Sequence, residues 1–234
     1  MNTLNVSEII GEAWDFTKKH WLKMLLINIF IGIVSCLLSW LFAPADFVDT
    51  YQKVLLGSQK AIHQLIEMSQ AQSPLWNVLV YLLISWIELG VVNAVLCVVM
   101  GRAEAPKLRM GYTFSINQLL KVVLGSIIYL IVVSVGTCLC IIPGIYLACR
   151  LALYKYIILD DENVSTIDAL KKSWAMTDGN VLNIILLIVL LVLIQLLGYI
   201  CCCVGVLITT TIIYFAIPIC YKKLNEMNQP QIEA

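Results

Sequence analysis

The 234-residue chain is 61% hydrophobic and 13% charged, with a mean hydropathy of +0.90, against roughly 45–50% apolar and about 25% charged for a soluble domain. That composition makes it a polytopic membrane protein and excludes a soluble globular fold. Fifteen basic and fifteen acidic residues leave a formal net charge of zero, so nucleic acid is excluded as a partner and any electrostatics must be local.

Residues 5–19 place Val6, Ile10, Ala13, Trp14 and Thr17 near helical spacing, with Glu8 and Glu12 early and Lys18 and Lys19 late. This order suits the helix dipole and predicts an interfacial amphipathic helix capped by Ser7. Residues 21–42 form the first span, long enough to cross about 30 Å of hydrocarbon. Ala43-Pro44-Ala45 superficially resembles a signal-peptidase site, but the preceding apolar run is too long for a signal peptide, so it is read as a mature span. Residues 46–67 predict one amphipathic helix, and 75–100 the second span. Residues 118–138 and 141–159 form the third and fourth spans, turned by Ile142-Pro143-Gly144, where Pro stops the helix ladder and Gly permits the turn.

Residues 165–178 form the best-specified surface helix. Ser165 and Asp168 fit a capping box, Asp168 and Lys172 stand at i and i+4, and Gly179 suits C′. Ile167, Leu170, Trp174 and Thr177 are predicted to share one face of it. The fifth and sixth spans are 181–199 and 206–221, turned by Cys201-Cys202-Cys203-Val204-Gly205, and a polar tail begins at Lys222 and is predicted to fray. The chain is thus predicted to be a single all-α transmembrane domain, residues 1–234, of six membrane helices in three hairpins with interfacial helices. Thirteen Lys and Arg residues fall on or beside the inner segments and only Lys53 and Lys60 outside, which predicts both termini inside. Each hairpin follows a surface helix, and Asn-Val-Ser opens both the first and third such helices, at Asn5 and Asn163, so a structural repeat is expected.

Two charged residues fall near the middle of predicted spans, Glu88 and Arg150. A charge at mid-bilayer costs about 2.5–3.5 kcal/mol on insertion scales and usually faces the protein interior with a partner. A Glu88–Arg150 contact assisted by Asn93 and Ser85 is therefore predicted, serving either as a structural bridge or as a polar site for an ion, a proton or a headgroup. Lys18, Lys19, Lys171 and Lys172 are candidate contacts for anionic lipid, although the positive-inside rule also accounts for them. Of the nine cysteines, Cys138, Cys140, Cys201, Cys202 and Cys203 are placed at two outer turns. They lack companion His or carboxylate ligands, so they are read as small apolar residues, with no metal site and no cofactor.

Ile142-Pro143-Gly144-Ile145-Tyr146, Arg150-Leu151, Tyr156-Ile157-Ile158 and Ala169-Leu170-Lys171-Lys172-Ser173-Trp174 with Thr177, Gly179 and Asn180 form a connected pattern. In it the chain resembles a bacterial family of integral membrane proteins of unknown activity, grouped with the membrane domain of some glycerophosphodiester phosphodiesterases. The soluble catalytic domain of those enzymes has no counterpart here, and the resemblance implies fold rather than activity.

No spacing matches a catalytic or metal site. The expectation is a non-enzymatic multi-pass protein of the inner (cell) membrane, a scaffold or a module binding membrane lipids, a membrane-protein partner or a second copy. The alternatives are a small transporter or channel using Glu88 and Arg150 and, below it, an intramembrane lipid enzyme.

Overall fold

Hydrocarbon offers no water to backbone N–H and C=O groups, so an apolar chain must satisfy them within its own segments. The computed structural model describes residues 4–41, 47–71, 74–102 and 116–228, and among these it is helical with no strand. The helices are α1 (Val6–Leu41), α2 (Phe47–Leu55), α3 (Gln59–Ala71), α4 (Pro74–Val99), α5 (Ile116–Leu139), α6 (Ile141–Leu151), α7 (Tyr154–Asp160), α8 (Thr166–Met176), α9 (Val181–Ile200) and α10 (Cys202–Asn228). Among the described residues five helical stretches are long and apolar enough to cross a membrane: Val6–Leu37, Asn117–Leu139, Ile141–Asp160, Val181–Ile200 and Gly205–Asn228. The chain is an all-helical, multi-pass membrane protein.

Two compact units divide it, one of residues 28–89 and one of residues 1–27 with 90–234. In the first unit, the single helix predicted over 46–67 is two, α2 and α3. Gly57 adopts φ +84° between them, a left-handed conformation that ends α2.

The second unit carries two helix hairpins closed by glycines. In α5–α6, Gly136 and Gly144 face each other, with a Cβ built on Gly136 falling 3.2 Å from the Gly144 Cα. In α9–α10, a Cβ on Gly198 would lie 3.1 Å from the Gly205 carbonyl oxygen. Small residues at these crossings let the backbones approach, the usual route to tight helix pairs in lipid. Both hairpins thus close in the same way, each through a facing pair of glycines.

Three predicted elements differ from the structure. The surface helix of 5–19 and the span of 21–42 are one unbroken helix, α1, because no Gly or Pro separates them and Lys223 of α10 pairs with Glu8 and Glu12 at 2.6 and 2.8 Å. The same ion pairs carry α10 on to Asn228, where fraying was expected from Lys222. Asn228 adds a side-chain bond of 3.3 Å to the Met176 carbonyl. Finally, the predicted fourth span over 141–159 matches the apolar stretch Ile141–Asp160 but is kinked at Ala152-Leu153, which divides it into α6 and a seven-residue α7.

The break shortens the first of the two hairpins. Ile145 and Cys149 of α6 line one groove with Ile185, Ile188, Val189, Val192 and Leu193 of α9, while α9 runs on to Ile200. The eleven residues of α6 rise about 16 Å and the twenty of α9 about 30 Å. Counted from the Arg150–Asp178 contact, Cys140 at the α5–α6 turn is ten residues away and Cys201 at the α9–α10 turn twenty-three, so the first turn is expected to fall short of the second. With single-thiol variants, a membrane-impermeant maleimide applied on the α9–α10 turn side is expected to label Cys201 and to leave Cys140 largely unlabelled. Equal labelling would mean that the two turns reach the same depth.

Candidate functional site

Arg150 lies in the last turn of α6, and α8 folds back beneath it. The N-terminus of α8 is fixed by Ser165, whose Oγ accepts the Asp168 backbone N–H at 3.2 Å and donates to Asp168 Oδ2 at 2.6 Å. The N-cap half of the predicted capping box is thus formed, while the Asp168 carboxylate returns to the Ser165 hydroxyl and not to its backbone N–H. Thr177 is the C-cap and Gly179, with φ +72°, turns the chain towards α9, one residue later than the predicted C′.

The buried face of α8 takes in only half of the set predicted to share one face, Leu170 and Thr177. Ala169, Leu170, Ser173, Met176 and Thr177 are buried, whereas Ile167 and Trp174 are exposed. Ala169 and Ser173 are small, and that allows α8 to come close enough for its hydroxyls to enter the backbone of the α6–α7 junction. Ser173 Oγ donates to the Arg150 carbonyl at 2.8 Å and accepts the Leu153 N–H at 3.3 Å. Thr177 Oγ1 lies 3.4 Å from the same carbonyl, but its single proton has closer acceptors in α8, the Ser173 and Trp174 carbonyls at 3.0 and 3.1 Å. A side chain inserted into the i→i−4 ladder is a recognised cause of a helix kink, and here it explains why the 141–159 segment does not continue as one helix.

The Arg150 side chain is held by three groups. Its Nη1 donates to Asp178 Oδ1 at 3.0 Å. Its guanidinium carbon sits 4.3 Å from the Trp174 ring centroid and 5.6 Å from that of Tyr146, and the two rings meet edge to face at 6.1 Å. The Arg150 side chain is 6% exposed, Asp178 78%. Arg150 Nε is buried with no hydrogen-bond partner. Cation–π contacts of a desolvated guanidinium contribute about 1–2 kcal/mol, which offsets part of the cost of burying it.

Arg150 therefore sits next to the α6–α7 kink, midway along the apolar stretch Ile141–Asp160, with its guanidinium directed to Asp178 in the turn that precedes α9. The carboxylate at its side is Asp178. Glu88 belongs to the other unit and is exposed on α4, with Ser85 half-buried and Asn93 buried on the same helix. Spacing by hydropathy points to Glu88 because it is the deep carboxylate, whereas Asp178 reads as part of a helix-ending turn. Only the return of α8 brings it to Arg150.

A second polar centre went unnoticed in the sequence. Asp160 accepts from Tyr221 Oη at 2.8 Å and from Arg102 Nη2 at 2.6 Å, and Tyr156 stacks on Tyr221 at 6.0 Å. Nearby, Lys121 donates to the Glu162 carbonyl at 2.6 Å and Gln118 to that of Ile158 at 3.0 Å. These bonds tie the start of α5 to α7 and to the Asp161-Glu162 segment that follows it.

Of the candidate lipid contacts, Lys18 pairs with Asp15 at 2.8 Å, Lys19 and Lys171 are exposed, and Lys172 is half-buried. Cys138, Cys140 and Cys201 are free and exposed. Among the described residues no three His, Cys, Asp or Glu side chains gather as metal ligands.

No curated protein and no solved structure matches the chain. A family model described as a domain of unknown function (DUF7847) matches residues 66–232, a stretch holding the Arg150 cluster and both glycine-closed hairpins, and the chain belongs to that family.

Proposed function

We propose that this chain is a non-enzymatic, multi-pass protein of the inner membrane that acts as a scaffold or as a module binding lipid or a partner. The observation that carries the reading is the closure of the Arg150 site. Its charge is met by Asp178, Trp174 and Tyr146, its carbonyl by Ser173, and its side chain is 6% exposed. A transport site needs a charge that a substrate can reach, and acid–base chemistry needs a positioned partner set. Arg150 instead holds α8 against α6. The resemblance to the membrane proteins that accompany glycerophosphodiester phosphodiesterases belongs to the same proposal and adds no activity to it.

Two measurements test this. In proteoliposomes the purified chain is expected to conduct protons and ions no faster than protein-free vesicles. Flux above that background, lost on Arg150→Met with the fold intact, would establish the transporter reading instead. In thermal unfolding, Asp178→Asn is expected to destabilise by about 1–3 kcal/mol. The figure is less than the 3–5 of a fully buried pair because Asp178 is exposed. On the Arg150→Met background the same change is expected to cost almost nothing, since no buried cation is left uncompensated.

A further inference from the structure

The lower part of α1 and α10 both belong to the second unit, and they run antiparallel. Lys223 bonds to Glu8 and Glu12, and Phe215 stacks on Phe16 at 5.6 Å. Between these helices is an open groove of about 320 Å³ that takes in Trp14, Lys18, Trp21 and Leu25 from α1 and Leu207 and Ile208 from α10. We infer that this groove binds one anionic phospholipid, its phosphate at Lys18 and one acyl chain along Leu25, Leu207 and Ile208. The inference rests on the lipid-binding reading above and names the ligand and the place.

Three features select that occupant. The first is a gradient of polarity. Trp14 and Leu25 are about 16 Å apart along α1, and the groove passes from Trp14 and Lys18 at one end to wholly apolar side chains at the other. A lipid has this same order, from headgroup to chain. The second is charge. At the headgroup end Lys18 lines the groove, and with Lys19 beside it on α1 against Asp15 it leaves a local excess of one positive charge, which complements an anionic headgroup. The Lys18–Asp15 pair does not compete strongly. Both partners are more than half exposed, and such pairs contribute about 0–1 kcal/mol. The third is the pair of indoles, Trp14 at 46% and Trp21 at 58% exposure, since amphipathic tryptophan rings settle at headgroup level. The volume lies at the low end for ligand sites, enough for a headgroup region and part of one chain.

The test is lipid retention by the purified full chain in mixed nanodiscs of phosphatidylglycerol and phosphatidylcholine, read by native mass spectrometry after release. One phosphatidylglycerol per chain is expected to persist in preference to phosphatidylcholine. Lys18→Gln is expected to weaken that preference about fivefold, the equivalent of ~1 kcal/mol for one basic residue. Ile208→Trp, which fills the apolar end, is expected to remove the retained lipid whatever its headgroup. Lys171→Gln with Lys172→Gln on α8 is expected to change neither result. Should phosphatidylglycerol persist stoichiometrically and ignore both groove variants, the lipid module stands and this groove is not its site. If no lipid outlasts the annular shell in the native chain, both readings fail. A second copy of the chain seated there, detected as a dimer that Ile208→Trp dissolves, would make the groove a protein interface and overturn the lipid assignment.

Discussion

Gly144→Val is expected to separate the α5–α6 hairpin and to lower stability by about 3 kcal/mol or more, seen as a large fall in the thermal unfolding midpoint in detergent. A Cβ at position 144 would lie 2.9 Å from both the Cα and the N of Thr137. Those are backbone atoms in the facing helix, so no rotamer change relieves the contact and the two helices must move apart. Overpacking of a core costs about 1–3 kcal/mol where side chains can adjust, and here they cannot. Separation also forfeits the close backbone packing that holds helices together in lipid, where apolar side chains gain little by leaving the acyl chains. Gly198→Val tests the second hairpin in the same way, but its nearest obstacle is the Thr209 side chain, which can turn aside, so the expected loss is smaller. Gly11→Ala is the control. Nothing lies within 4 Å of a Cβ there, and Ala in place of Gly inside a helix is expected to be neutral or stabilising by up to about 1 kcal/mol. An unchanged midpoint for Gly144→Val would show that the helix crossing does not depend on this glycine.

The helical character and the approximate position of most apolar segments could be read from residue order, because hydrocarbon permits an apolar chain almost no alternative to a helix. The Ser165–Asp168 cap could be read for a similar reason, being a contact between residues three apart. What could not be read shares one cause. The α6–α7 break is made by Ser173, twenty residues away from the N–H it accepts. The buried face of α8 depends on how closely Ala169 and Ser173 approach another helix, which hydrophobic periodicity does not encode. The Asp178 pairing depends on the same approach. The pattern Tyr146, Arg150, Ser173, Trp174, Thr177 was visible as a motif, yet its members act as one contact only after α8 has folded back.

Ser173→Ala is expected to be the most damaging change on α8, at about 2–4 kcal/mol, although it removes a single oxygen. The residue is fully buried, and its hydroxyl serves two backbone groups at once, the Arg150 carbonyl and the Leu153 N–H. Leaving a buried polar group unsatisfied costs about 1–3 kcal/mol. Thr177 can serve the Arg150 carbonyl, 3.4 Å away, only by giving up its closer acceptors in α8 at 3.0 and 3.1 Å, and the Leu153 N–H loses its partner altogether. Amide exchange separates this local cause from general loosening. In Ser173→Ala the Leu153 amide is expected to exchange much faster, while amides in the middle of α9 keep their protection. Thr177→Val, which leaves the Leu153 N–H bonded, is expected to cost less and to leave that amide protected. If instead Ser173→Ala is tolerated and the Leu153 amide stays slow, α6 and α7 must have joined into a straight helix with the Cys149 carbonyl as the new acceptor. The kink would then be a preference imposed by Ser173 and not a requirement of the fold. Because Trp174 stands next to Ser173 in sequence and covers the Arg150 guanidinium, straightening would also move the indole off its cation. A change in Trp174 fluorescence, followed with the remaining tryptophans replaced, would distinguish the two outcomes.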